Sequence, residues 1–220
     1  RGAKAAGAKL MTGAGYHSAQ FKNGRWHVAT EKGEISARII INTSGAWADN
    51  VAKRAGVCPL GLQPLRRTVV TVCNPEGLPF DKSGPIAMYV GAEHYFKPEG
   101  QGYLLTPGDE VLGFPSDVQP EQEDVARAVY QFEQATGANV TRVEAKWAGL
   151  RTFAPDRAPV IGFAADAPQF FWSVGHGGFG IQTAPAWSEL AASLLLGKAL
   201  PPILEANNVA PEAYTPARFC

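Results

Sequence analysis

The sequence has no surplus of charge of either sign: 20 lysines and arginines stand against 20 aspartates and glutamates in 220 residues. That balance excludes recognition through a broad one-signed surface, as nucleic acid or an anionic membrane demands, so recognition has to be local. Cysteine is scarce, and Cys58, Cys73 and Cys220 show no CxxC spacing. A local metal knuckle or dithiol is thereby excluded, and buried free thiols in a reducing compartment are expected. No apolar run approaches the roughly 18 residues that a spanning helix needs, and no signal-peptide pattern opens the chain. A soluble, cytoplasmic protein without a membrane span is the expectation. Repeats and low-complexity tracts are also lacking, while a hydrophobic content of 45% allows a sizeable core.

Two further absences bear on function. The chain has no initiator Met, and no GxGxxG stands between a strand and a helix. In doubly wound nucleotide-binding folds that fingerprint grips the diphosphate. Either no dinucleotide is needed, or the gripping half belongs to a preceding part of the same polypeptide. The opening RGAKAAGAKLMTG reads as the last turns of an Ala-rich helix followed by a Gly stop, which favours the second alternative.

Residues 16 to 41 alternate around Asn23-Gly24 and again around Lys32-Gly33. Asn-Gly tolerates positive φ, so a β-meander is expected. The run Arg38-Ile39-Ile40-Ile41 suits a strand buried on both faces, and NTSGAWADNVAKRAG a glycine turn entering a short helix. Residues 59 to 118 are rich in Pro and Gly with short β-like runs at 68–72, 88–90, 94–97 and 103–106, which together suggest an antiparallel sheet. Val125, Ala128, Val129, Phe132 and Ala135 recur at helical spacing before Gly137, predicting a helix over about 121–136. Another strand is expected over 170–174 and a helix from the following glycines to about Leu196, closed by Gly197.

The loop Gly175-His176-Gly177-Gly178-Phe179-Gly180 lies between that strand and helix. Its amides and the helix N-terminus converge, and missing Cβ atoms let a flat, electron-rich ligand approach; such loops also serve as plain structural punctuation. Arg151, in WAGLRTFAPDRAP, offers a planar fork that matches a carboxylate. None of His17, His27, His94 and His176 stands out as a general base, since lone histidines are more often structural.

GAWAD after a strand, GLRTFAPDRAPVIG and FFWSVGHGGFGIQT, in this order and at these separations, resemble the C-terminal halves of the D-amino-acid oxidase superfamily of flavoproteins. Within it, GLQPLRRT, HYFKP, SDVQPEQ, WAGLRTF and GFGIQT are similar to the D-arginine dehydrogenase and glycine oxidase-like group. The resemblance implies a mixed α/β fold, with part of a doubly wound FAD-binding domain (1–58 and 147–220) and an antiparallel-sheet substrate domain (59–146). It also implies FAD as cofactor, with the diphosphate fingerprint in the missing N-terminal part of the polypeptide.

Position by position, the resemblance makes Arg151 the substrate carboxylate clamp and Tyr95 the hydroxyl that reaches the same carboxylate. Arg67 becomes a second substrate-contacting arginine, and Met88 and Val90 become apolar pocket walls. The carbonyl of Gly178 would hold the substrate amine, with Gln182 nearby. Ser44, Gly45 and Trp47 would lie along the cofactor, as would Gly149, His176, Gly177, Gly178, Phe179, Gly180, Ile181, Gln182 and Thr183. His176, Ser44 and Thr152 stand where Gln, Ala and Pro are more usual. The implied reaction is hydride transfer from the Cα of an amino acid, a D-amino acid in the first instance, to flavin N5, giving an imino acid. O₂ or a quinone would then accept the electrons. An N-methyl amino acid or glycine oxidase, a 2-hydroxy-acid dehydrogenase, and an inert fragment that binds no cofactor stay open beside it.

Overall fold

The computed structural model describes residues 1–220 except Ala92, Pro168 and Cys220. In chain order the elements are α1 (Gly2–Ala5), β1 (Tyr16–Lys22), β2 (Arg25–Thr30), β3 (Gly33–Ala37), β4 (Ile40–Asn42), a 3-10 turn (Gly45–Trp47) and α2 (Ala48–Arg54). Then come β5 (Gln63–Cys73), β6 (Ala87–Met88), β7 (Tyr95–Glu99), β8 (Gly102–Thr106), β9 (Val111–Leu112), α3 (Gln122–Thr136) and β10 (Val143–Phe153). The chain ends with β11 (Val160–Phe163), β12 (Phe170–Val174), α4 (Gly180–Leu196), α5 (Pro202–Ala206) and two 3-10 turns. Two compact units result, one of Arg1–Leu62 with Phe153–Cys220 and one of Gln63–Thr152.

In the first unit, β1, β2 and β3 form the expected antiparallel meander. Asn23 and Gly24 both have positive φ, as a tight turn matching the strand twist requires. The second sheet has the order β11-β12-β4. Its middle strand β12 is buried on both faces. Phe170, Trp172 and Val174 join Trp26, Ala48, Ala52 and Val160 in one cluster, while Phe171 packs with Ile161, Leu190 and Leu204 in another. Two-sided burial was expected of residues 38–41, and there the structure differs: Ile39 is 37% and Ile41 49% exposed. Among the described residues β4 is bonded only to β12, so its β-branched run has backbone pairing on one side and open space beside alternate side chains.

The second unit is an antiparallel sheet of order β10-β5-β8-β7-β6, with β9 also on β5. Helix α3 lays its apolar stripe on this sheet: Ala128 and Phe132, flanked by Val125 and Val129, pack with Val70, Val72, Tyr103 and Leu105. The 3.6-residue spacing read from the sequence is thus the buried face. Gly137 ends the helix at φ 70°, a left-handed cap that Gly adopts without Cβ strain.

Cysteine needs a correction. Cys58 is disulfide-bonded rather than a free thiol. Cys73 is free and half-buried, and Cys220 lies outside the described residues. Disulfide pairing follows from tertiary proximity, which spacing along the chain does not report. Among the described residues no helix is long and apolar enough to cross a membrane.

Candidate active site

Two groups of residues, one in each unit, carry the chemistry. In the first unit, β4 and β12 run parallel, with Phe170 opposite Ile40 and Trp172 opposite Asn42. Their C-terminal ends therefore lie side by side, the edge at which open α/β sheets bind ligands. From β4 the chain enters Ser44-Gly45-Ala46-Trp47, with Gly45 at φ 55°. From β12 it enters Gly175 to Gly180, with Gly175 at φ 75° and Gly177 at φ 53°. Parallel pairing thus gathers Ser44, Gly45 and Trp47 with the glycine loop at one end of the sheet.

The glycine loop opens α4 without a side-chain cap: the N-cap is Phe179. The N–H of Thr183 already bonds the Phe179 carbonyl. The amides of Gly180, Ile181 and Gln182 precede the first intrahelical bond, at the positive end of the helix dipole. Gly178, Phe179, Ile181, Gln182 and Thr183 are exposed, and an added Cβ at Gly45 would meet nothing. A flat group with acceptor atoms on one edge fits this combination of free donors and open apolar surface.

The loop is supported from behind. Phe153 forms an isolated antiparallel bridge with His176, and an ideal Cβ on Gly177 would fall 2.6 Å from Phe153 Cζ. Gly177 is therefore glycine for two reasons, its φ and this close approach. The Arg157 guanidinium lies over the Phe153 ring, 4.0 Å from its centre. His176 turns its ring edge-on to Trp187 at 4.7 Å, and burial pushes its pKa below the usual histidine value. It lines an apolar cavity of about 310 Å³ with Phe179, Thr183, Trp187, Leu190, Leu204 and Tyr214.

Sequence reasoning missed Asn42, which is buried and shapes the β4 turn. Its Oδ1 accepts the Ser44 N–H at 3.2 Å and the Ser44 hydroxyl at 2.6 Å, and its Nδ2 donates to the Ala48 carbonyl at 2.9 Å. A polar residue at the end of a β-branched run, just before a Ser-Gly turn, is the signal that could have found it.

In the second unit Arg151, near the end of β10, donates from Nη2 to the Tyr95 hydroxyl at 3.4 Å. Arg67, on β5, is 4% exposed; its Nε donates to the Asp109 carbonyl at 2.8 Å and its Nη2 to Glu110 Oε1 at 3.3 Å. Burial, then the neighbouring charge of Arg151, hold its pKa below the usual arginine value, against the pull of Glu110, Asp109 and Tyr95. Arg67, Arg151 and Tyr95 are therefore neighbours. Met88 sits opposite Tyr95 in the β6–β7 register; Val90 follows the end of β6, is 95% exposed and touches no other candidate among the described contacts. Gly149 is exposed on β10, two residues before Arg151.

Arg66 alternates to the opposite face of β5 from Arg67. There it pairs with Asp124 at 2.7 Å and Glu121 at 3.0 Å on α3. Asp109 directs its carboxylate to that same face, where it accepts from the Thr68 N–H and hydroxyl. Arg151 makes no ion pair among the described residues, so this group has an open cationic fork beside a hydroxyl. A planar carboxylate is the natural complement.

Residues 1–194 match the family described as FAD dependent oxidoreductase. The glycine oxidase of Pseudomonas aeruginosa is 29% identical over 196 residues, 86% of this chain and 48% of that protein. The glycine oxidase of Pseudomonas putida is 27% identical over 190 residues, 84% of this chain and 48% of that protein. Among solved structures, L-proline dehydrogenase from P. horikoshii is similar with a TM-score of 0.80 at 26% identity, over 99% of this chain and 56% of that one. The chain spans about half the length of the curated relatives it matches.

Proposed function

This chain belongs to the family of FAD dependent oxidoreductases, and from that premise we propose that the full-length protein oxidises the Cα–N bond of an amino acid or a closely related amine. The observation that carries the reading is the Arg151–Tyr95 pair beside buried Arg67. Arg151 offers a two-pronged donor to a carboxylate. Tyr95 accepts an N–H from Arg151, so its own hydroxyl proton is left to donate to a second carboxylate oxygen. Binding through three donors fixes the orientation of Cα, and orientation is the main contribution these side chains make to rate.

The residues suited to FAD are those of the first unit's sheet end. The uncapped amides of Gly180, Ile181 and Gln182 would donate to the pyrimidine edge of the flavin, where charge develops on reduction. Gly178 and the turn Ser44, Gly45 and Trp47 would let the ring system approach closely. The flavin supplies the hydride acceptor, and the imino product is hydrolysed by water. No side-chain base is required once the amine is neutral. A D-amino acid is the finer reading. Glycine or an N-substituted amino acid is the second, supported by likeness to glycine oxidases and to an L-proline dehydrogenase.

The test is a panel of D- and L-amino acids, glycine, sarcosine and 2-hydroxy acids with the full-length protein and an artificial electron acceptor. Turnover of amino acids is expected, and activity confined to hydroxy acids would defeat the proposal.

A further inference from the structure

A buried ring stands beneath the glycine loop. Phe153 belongs to the first unit and is 4% exposed, and its ring is covered by the Arg157 guanidinium. Its backbone bridges His176. The edge of its ring meets Gly177, where an ideal Cβ would fall 2.7 Å from Cδ1, 2.6 Å from Cζ and closer still to Cε1. From these two contacts the path to α4 is short. The His176 carbonyl accepts the Phe179 N–H at 3.0 Å, and the Phe179 carbonyl accepts the Thr183 N–H at 3.0 Å and the Thr183 hydroxyl at 2.8 Å. The His176 Cβ also lies 3.2 Å from where a Cβ on Gly180 would stand. Phe179 is the N-cap of α4, so the amides of Gly180, Ile181 and Gln182 take their position from His176 and Gly177, and these take theirs from Phe153. His176 and Phe179 also line the apolar cavity of about 310 Å³, which leaves the loop room to shift if its support is removed.

We propose that Phe153 is a positioning residue for the cofactor: its ring holds the glycine loop where the amides of Gly180, Ile181 and Gln182 reach the pyrimidine edge of the flavin, and it thereby sets the reduction potential. The inference rests on the reading above that this loop receives the flavin. Negative charge develops on that edge when the flavin is reduced, so donors placed there stabilise the reduced form more than the oxidised one. Their strength falls steeply as distance and angle depart from the optimum. A smaller side chain at position 153 leaves a gap under Gly177, and the surroundings of such a gap relax partly into it. Glycines at 175, 177 and 178 resist that movement least. The amides then retreat from the flavin edge, and the reduced form loses more than the oxidised form.

Phe153→Leu keeps an apolar side chain and removes the flat ring edge. The midpoint potential of the flavin-loaded full-length protein is measured by equilibration with a reference dye, beside its melting temperature. Reduced flavin should be held about tenfold less tightly relative to oxidised flavin, a fall in potential of about 30 mV for the two-electron couple. Phe153→Met, whose flexible chain fills irregular gaps, should fall between Phe153→Leu and wild type, and it carries the comparison if Phe153→Leu does not fold. Ile181→Pro serves as the control for the loop itself. It deletes one amide that has no intrahelical partner, at a side chain that is 95% exposed, and it too should lower the potential. If Ile181→Pro lowers the potential while the Phe153 variants lose only melting temperature, Phe153 is a core residue without influence on the flavin; the proposal is then overturned and the reading of the loop stands. If Ile181→Pro leaves the potential at the wild-type value, the loop does not serve the flavin edge, and the role of Phe153 falls with that reading.

Discussion

Adding one methyl group at Gly177 should dislocate the glycine loop. The residue sits at φ 53°, where an L side chain costs roughly 1–2 kcal/mol. The new Cβ would also lie 2.6 Å from Phe153 Cζ, well inside van der Waals contact, and forcing extra atoms into a packed place costs about 1–3 kcal/mol. The Phe153 ring cannot retreat freely, since Arg157 covers it and its backbone bridges His176. Against this, Ala restricts the unfolded chain and returns about 0.4–1 kcal/mol. Gly177→Ala should therefore destabilise by about 2 kcal/mol or more, a fall in melting temperature of about 4–8 °C for a chain of this size. The assay is thermal and denaturant unfolding of the wild type, Gly177→Ala, Phe153→Leu and the double variant. Because Phe153→Leu removes the obstructing ring atoms, the double variant should be more stable than the sum of the single losses implies, with a coupling of about 1–2 kcal/mol. Strictly additive losses, or a melting temperature of Gly177→Ala equal to wild type, would refute the reasoning.

Arg151→Lys in the full-length enzyme keeps the charge but loses the fork, so kcat/KM for amino acids should fall about tenfold to a hundredfold, with Arg151→Ala worse. An amine lacking the carboxylate should be little affected, and equal losses on both substrates would sink the clamp. Asn42→Ala leaves the Ser44 N–H and the Ala48 carbonyl without their buried partner; about 1–3 kcal/mol of stability should be lost, and the flavin content of the full-length protein should drop, as absorbance at the flavin bands will report. Burial pushes the His176 pKa below the usual histidine value. The unfolded chain therefore takes up the proton more readily, so its contribution is complete above about pH 6.5 and is lost as pH falls below that value. The melting temperature of wild type should drop further between pH 8 and pH 5.5 than that of His176→Gln, and parallel drops would count against this assignment.

Much of the fold was legible in the sequence because it depends on local chemistry. Asn23-Gly24 specifies its turn through backbone conformations that few residues accept, the Val125-to-Phe132 spacing exposes one helical face to the sheet, and Gly137 and Gly197 stop their helices at left-handed caps. These features need only a few neighbouring residues and survive reading one position at a time. Arg151 and the glycine loop stood out as candidates for the same reason, through donor geometry and the absence of Cβ atoms, whereas Tyr95 entered only through the family resemblance. What lies beyond a few residues' reach was decided by pairing. The isoleucines at 39–41 show where strand propensity misleads: β-branched residues favour extended backbone, but burial depends on which strand becomes central, and that strand is β12. Parallel pairing of β4 with β12 brings residues about 130 apart in sequence to one edge, and the pairing of Cys58 was equally invisible to spacing. The face of β5 on which Arg67 meets Arg151 and Glu110, while Arg66 turns to α3, follows from strand register, which only the assembled sheet establishes. The amino-acid sequence by itself determined the turns, caps, helical faces and the chemical types available to a site; the tertiary structure alone decided which of them became neighbours, because contacts between distant segments are set by sheet order and register rather than by any residue's own preference.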